Sequence, residues 1–307
     1  MVGILNALVT RRFLKRGPFA LSWALTFQCN QRCLYCRIWD NKTDELNTDQ
    51  IKEKISYYAN IGGCWITFTG GEPLLREDFP VIAEYARKQG FYVSVSSNGI
   101  LVHQRIYEIT MVNRVKLSLD GPVSIHDYVR GEGSYDGVMN AVETCQKYRV
   151  PVSLECVISK YNIGKLDFLL GIASKYKILI SFQPVTVSFL GADNNHSHTP
   201  SAGEYHDAMC MLIKHKKKGA PIWNSLAGLR YLSFWPLPQK INCYAGSLFL
   251  RINPDGEIIK CDRQRPSLET NPVSQCNQCW CAGTLEANLM RAGNREAILN
   301  FLRNSTK

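Results

Sequence analysis

The stretch FQCNQRCLYCRIW, Phe27 to Trp39, sets Cys29, Cys33 and Cys36 in a C-x3-C-x2-C run. Three thiolates at that spacing can hold three irons of a cubane 4Fe–4S cluster and leave the fourth iron without a protein ligand. Structural thiolate sites close their coordination sphere, whereas sites that keep a position open do chemistry there. Half of a zinc site is the alternative, but zinc knuckles use C-x2-C pairs with a second pair or histidines nearby. No histidine precedes His103. Disulfides need an oxidising compartment, and the chain opens with no secretory signal. The aromatic Tyr35 just before the last cysteine supports the iron reading.

Polar strand ends follow in order. WITFTGGEPLLR, Trp65 to Arg76, is an apolar run that ends in Gly70-Gly71-Glu72-Pro73. A Gly-Gly turn after a strand is common by itself; glycines also let a backbone approach a ligand closely. FYVSVSSNGIL puts Ser96, Ser97 and Asn98 at a strand end, VKLSLDGP does the same with Ser118 and Asp120, and HDYVRGEGSYDG carries Arg130. Short apolar or β-branched runs read as strands at 21–27, 65–69, 91–96, 114–119, 151–157 and 178–185. Helical patterns near 48–60, 78–89, 102–112, 136–148 and 162–175 lie between them. Thr48 with Ile51 and Lys52, and Asp78 before Pro80, mark helix starts. Strand–helix alternation predicts an α/β fold with right-handed crossovers and a parallel sheet.

The cysteine run and the segments behind it resemble the radical S-adenosylmethionine (SAM) superfamily. The resemblance implies a partial (β/α)6 TIM-like barrel with its site at the C-terminal ends of the strands. It implies that Cys29, Cys33 and Cys36 hold the catalytic 4Fe–4S cluster. In that family the open iron is chelated by the amino and carboxylate groups of SAM. One electron cleaves the sulfonium, and the resulting 5′-deoxyadenosyl radical abstracts a substrate hydrogen atom. The resemblance assigns the SAM site to Tyr35, Gly70, Gly71, Glu72, Pro73, Ser96, Asn98, Ser118, Asp120 and Arg130. The glycine-loop carbonyls and Glu72 would take the ammonium, and the hydroxyl, amide and carboxylate groups the ribose and methionine carboxylate. Arg130 matches the position that pairs with that carboxylate.

The C-terminal quarter holds a second group, Cys243, Cys261, Cys276, Cys279 and Cys281. Residues 247–253 and 257–261 read as strands around the turn Asn253-Pro254-Asp255-Gly256. Cys243 and Cys261, spaced C-x12-G-x4-C, then flank a hairpin. This resembles the opening of the SPASM and twitch domains, which extend radical SAM enzymes and hold auxiliary 4Fe–4S clusters. The cysteines are too few for the two-cluster SPASM arrangement, so the resemblance implies one auxiliary cluster and a small β-hairpin plus helix twitch domain. Its expected ligands are Cys243, Cys261, Cys276 and one of Cys279 or Cys281; C-x2-C being the commoner chelating pair favours Cys279. Cys281 would then be a catalytic hydrogen-atom donor or an alternative ligand. A four-thiolate zinc ribbon is the competing reading.

Cys64, Cys145, Cys156 and Cys210 lie in apolar stretches and read as small buried residues. The cysteine usage places the protein in a reducing cytoplasm, with peripheral contact at the inner face of the membrane as a further expectation. Expected units are a basic N-terminal helix at 1–17, the barrel at 18–190, a helical connection at 191–240, the twitch domain at 241–285 and a C-terminal helix from 286. The net charge is +10, and 1–16 run apolar then basic, ending in Arg11, Arg12, Lys15 and Arg16. The two kinds share one side of a helix, so charge separates along the axis; a tip with a basic collar would touch an anionic membrane. Lys214 to Lys218 reads as a solvated helix end, because cations suit helix C-termini. Nucleic acid is not expected as a partner, for want of interleaved stacking aromatics. The substrate class stays open among a small sugar or aminocyclitol, a lipid headgroup and a peptide. With about 20 residues before the first strand, no leader-binding domain is expected. A flavodoxin- or ferredoxin-type donor would supply electrons. The alternative from another class is a zinc-stabilised nucleic-acid-binding protein, which leaves the Gly-Gly-Glu-Pro segment unexplained.

Overall fold

The computed structural model describes residues 17–185, 198–259 and 279–304. Strand–helix units run β1 (Ala20–Thr26), α1 (Thr48–Asn60), β2 (Trp65–Gly70), α2 (Phe79–Lys88), β3 (Tyr92–Ser97), α3 (Ile106–Ile109) and β4 (Arg114–Ser118). They continue with α4 (Val123–Arg130), α5 (Ser134–Lys147), β5 (Val152–Ile158), α6 (Leu166–Lys175) and β6 (Leu179–Pro184). Then follow α7 (Ala202–Lys217), α8 (Leu226–Leu232), β7 (Phe249–Ile252), β8 (Ile258–Ile259), α9 (Ala282–Arg291) and α10 (Arg295–Asn304). One 8-stranded sheet has the order β6-β5-β4-β3-β2-β1-β7-β8, so its two edges do not meet and the barrel stays open.

The alternation of each strand decides its faces. Trp23, Phe68, Val95, Leu117, Leu154 and Phe182 are each 0% exposed and join the core. That core includes Ile55 of α1, Ile82 of α2, Val142 of α5 and Leu169 of α6. Burying such side chains contributes about 1.5–3 kcal/mol apiece. The alternate positions Ser22, Thr67, Ser96, Lys116, Glu155 and Gln183 are half-buried on the other face. The branched apolar filling of a closed barrel is therefore replaced by hydroxyls and charges that water reaches.

Helix α1 begins at a capping box: the Asn47 side chain accepts from the Gln50 N–H while Gln50 returns a bond to Asn47. The expected helix at 102–112 contracts to Ile106–Ile109. Helix α4 fell outside the expected elements, because Pro122 and Gly131 bound a run too short for a clear period. The C-terminal hairpin differs more. Its turn forms as expected, with Gly256 at φ 83°, but β7 pairs parallel to β1 in the register Ala20↔Phe249 to Trp23↔Ile252. The hairpin thus extends the barrel sheet. The single helix expected from 286 is two, α9 and α10, broken at Gly293 (φ 83°). Cys64, Cys145 and Cys156 are buried, but Cys210 is exposed on α7, with His206 one turn before it at 3.5 Å. The expected N-terminal helix, Cys261 and Cys276 lie outside the described residues. Among the described residues, no helix is long and apolar enough to cross a membrane.

Candidate active site

The loop after β1 carries Cys29, Cys33 and Cys36, all half-buried and unpaired by disulfides. Short-range bonds fold it in advance: Cys36 N–H donates to Cys33 O (3.0 Å) and Trp39 Nε1 to Cys36 O (3.0 Å). Leu34 N–H reaches Val129 O of α4 at 2.9 Å, fixing the loop to a neighbouring unit. Donors surround the sulfurs: Gln31 N–H at 3.4 Å and Asn98 Nδ2 at 4.0 Å from Cys29, and Arg130 Nη1 at 4.0 Å from Cys33. Burial pushes all three thiols up, Cys33 to about 11, so a metal centre binding here must displace their protons. Among the described residues, no three or more His, Cys, Asp or Glu side chains could hold a single metal ion. A half-buried loop with three thiols and N–H donors on its sulfurs suits an iron–sulfur cluster.

The Gly-Gly-Glu-Pro segment braces that loop. Gly71 N–H donates to Thr26 O and Glu72 N–H to Gln28 O, both at 2.8 Å. A Cβ on Gly70 would lie 2.1 Å from Thr26 O, and one on Gly71 2.0 Å from Gln28 O. The glycines are thus required by the close passage of the β1 and β2 ends. Glu72, the residue expected to take an ammonium, is turned into the protein. It is 0% exposed, and its carboxylate accepts from Leu74 N–H (3.1 Å), Ser97 Oγ (3.1 Å) and Asn98 N–H (2.8 Å). Burial raises its carboxyl to about 7 against those three donors. Pro73 opens a single 3-10 turn that Glu72 caps.

Asp120, expected to serve SAM, is likewise turned inward. It is 1% exposed and accepts from Arg130 Nε (2.6 Å), Tyr35 Oη (2.7 Å) and Val157 N–H (3.0 Å). Arg130 Nη2 donates to Tyr35 Oη at 2.6 Å, closing a buried Tyr35–Asp120–Arg130 triangle. Burial alone would raise the Asp120 carboxyl; Arg130 and His126 hold it below its usual range. Asn98 is tied to Asn30 by its Nδ2 at 2.6 Å. Ser96 and Ser118 remain half-buried on the polar face, with Ser96 Oγ 3.4 Å from Glu155.

His126 is wholly buried and carries no signal in the sequence, where it reads as one polar residue of a short run. Its Nδ1 accepts the Asp120 N–H at 3.0 Å, which leaves the ring proton on Nε2, edge-on toward Tyr135 at 6.2 Å between centroids. Burial, then Arg130, lowers its pKa from 6.5 to about 4. A neutral buried histidine contributes stability that is complete above 6.5 and is lost as pH falls from there toward 4. Chemical denaturation at pH 7 and pH 5 is expected to show wild type losing about 2 kcal/mol more than His126→Gln, which keeps an acceptor for Asp120 N–H.

In the C-terminal region, Asn288 of α9 is 0% exposed and joins two cysteine segments. Its Oδ1 accepts from Tyr244 N–H, beside Cys243, at 2.9 Å, and its Nδ2 donates to Cys279 Sγ at 3.7 Å. Cys279 is buried; Cys281 is exposed at the start of α9, where Ala282 N–H meets Gln183 Oε1 at 3.1 Å.

A family model described as the Radical SAM superfamily matches residues 23–167, from β1 into α6. Mycofactocin maturase MftC of Mycobacterium tuberculosis (strain ATCC 25618 / H37Rv) is 28% identical over 258 residues, 80% of this chain and 64% of that protein. Fe-coproporphyrin III synthase of Methanosarcina barkeri is 31% identical over 175 residues, 54% of this chain and 44% of that one. The chain therefore spans less than two thirds of either relative. Streptococcus suis SuiB bound to S-adenosylmethionine shares the fold with a TM-score of 0.67 at 12% identity, over 97% of this chain and 70% of SuiB. The matched segment contains the three-cysteine loop and every residue that braces it, and residues 23–167 form a domain of the radical SAM superfamily.

Proposed function

We propose that the chain catalyses hydrogen-atom abstraction from a polar substrate, completed as an oxidation or bond formation. The loop of Cys29, Cys33 and Cys36, preformed and supplied with N–H donors at the mouth of a polar half-barrel, carries this reading. Cys29, Cys33 and Cys36 would hold a 4Fe–4S cluster, which would supply the electron for reductive cleavage of SAM. Ser96, Asn98, Ser118 and the carbonyls of the glycine loop orient SAM. Tyr35, Asp120, Arg130 and Glu72 hold the loop rigid around it. Cys243, Cys261, Cys276 and Cys279, with Cys281 as the alternative to Cys279, would hold an auxiliary 4Fe–4S cluster, which would supply an electron acceptor. Hydroxyls and the Lys116–Glu155 pair (3.7 Å) on the inner face favour a polar group, as in a peptide, sugar or headgroup. A maturase name among the relatives, and a SuiB structure bound to precursor peptide SuiA, add weight to a peptide. A flavodoxin- or ferredoxin-type protein of a reducing cytoplasm is the proposed electron donor.

Anaerobic reconstitution tests both clusters. Cys279→Ala is expected to lose one cluster's iron while still forming 5′-deoxyadenosine, and Cys281→Ala to keep its full iron. Equal iron loss in both variants would remove the basis for preferring Cys279. Stoichiometric zinc without iron would overturn the two-cluster reading.

A further inference from the structure

Several helices of this chain end in one way: a residue at positive φ follows the cap, and the next N–H reaches back five residues to a helix carbonyl. Gly62, Gly90, Gly219 and Gly293 fill that position after α1, α2, α7 and α9. After α5 and α6 it is filled by Arg149 (φ 58°) and Lys177 (φ 54°), with Val150 N–H to Cys145 O at 2.8 Å and Ile178 N–H to Ala173 O at 2.9 Å. Glycine is the unstrained residue in that conformation, and a side chain there carries a conformational cost. Two successive units keep a cation where glycine would be more stable.

The surroundings repeat as well. The helix ends read Lys147-Tyr148-Arg149 and Lys175-Tyr176-Lys177, and all four cations are exposed. Gln146 Nε2 donates to Tyr176 O at 2.6 Å, so the two ends lie side by side. Tyr107, 73% exposed, adjoins them through Tyr148 at 3.1 Å between hydroxyls. None of the four cations forms an ion pair within 4.0 Å among the described residues. This strip lies where β5 and β6 begin, at the opposite end of the strands from the cysteine loop. Gly17 belongs to the same end, its N–H on Ile61 O (3.1 Å) after α1. The residues that lead into it, MVGILNALVTRRFLKR, are apolar and then basic.

We propose that this end of the barrel docks on an anionic phospholipid bilayer, with Lys147, Arg149, Lys175 and Lys177 meeting the headgroups and the tyrosines at their level. A nucleic acid would match the charge but would want aromatic faces open for stacking, and Tyr107 and Tyr148 are engaged with each other edge-on, 5.3 Å between centroids. Docking there leaves the radical site facing away from the membrane and open to substrate.

The test uses the full reconstituted chain. Sedimentation with vesicles of phosphatidylcholine plus phosphatidylglycerol is compared with phosphatidylcholine alone, in low and high salt. Binding is expected only with the anionic lipid and is expected to weaken with salt. Arg149→Gly/Lys177→Gly is expected to weaken binding about 25-fold, roughly fivefold per cation. Its melting temperature should be unchanged or raised, and its 5′-deoxyadenosine formation unchanged, so lost binding could not be ascribed to unfolding. Equal binding to neutral vesicles, unaltered binding of the double variant, or tighter binding to a duplex RNA probe than to the vesicles would each overturn the proposal.

Discussion

Cys33→Ala is expected to abolish 5′-deoxyadenosine formation and to remove one cluster's iron while the protein stays folded. Two thiolates cannot hold a cubane in the three-ligated form that leaves one iron for SAM. Cys64, Cys145 and Cys156 do not stand in, because their thiols are buried. Folding should persist because the loop is held by groups other than the thiol, namely Leu34 N–H on Val129 O (2.9 Å) and Tyr35 Oη on Asp120 (2.7 Å). Iron analysis, the yield of 5′-deoxyadenosine under reductant and a thermal melt together check the result. Activity within tenfold of wild type would mean that the catalytic iron is held by residues other than these cysteines.

The same loop shows what can be read from residues alone. Thiol spacing, strand–helix alternation and the order of polar strand ends are local properties, and they sufficed for the sheet and for putting the cysteine loop after its first strand. The inward turn of Glu72 and Asp120 was not legible because burial is not local. A carboxylate at a strand end can face a ligand or turn inward, and the choice depends on donors far along the chain. For Glu72 these include Ser97 Oγ and Asn98 N–H; for Asp120 they are Tyr35, Arg130 and Val157 N–H. The pairing of β7 with β1 was equally invisible, since the hairpin's own alternation fits a separate sheet as well as an added strand. The break between α9 and α10 had a local sign in Gly293, but a single glycine inside a helical pattern is often tolerated.

The inward turn of Asp120 makes its replacement the sharper test of the site. Asp120→Asn leaves the Arg130 guanidinium buried, with its 2.6 Å carboxylate partner gone. Removing one member of a buried ion pair costs about 3–5 kcal/mol, because the remaining charge stays desolvated. At about 2–4 °C per kcal/mol, the melting temperature should fall by roughly 10 °C. The pH dependence has a definite sign. The folded carboxyl sits below its model value of 3.8, so the pair's contribution is complete above that value and is lost as pH falls through the lower folded value. The stability gap between wild type and variant should therefore stay constant from neutral pH down to about 5 and close only in stronger acid. Tyr35 and Arg130 would lose their common anchor, and the cysteine loop would lose its fixed position. SAM cleavage should drop about 10–100-fold, as it does when a group supporting metal ligands is removed. A carboxylate that instead served the ribose would behave differently on replacement. Its loss would raise the concentration of SAM needed for half-maximal cleavage and leave the melting temperature where it was. Measuring both quantities on one variant separates a brace for the loop from a contact to the cofactor.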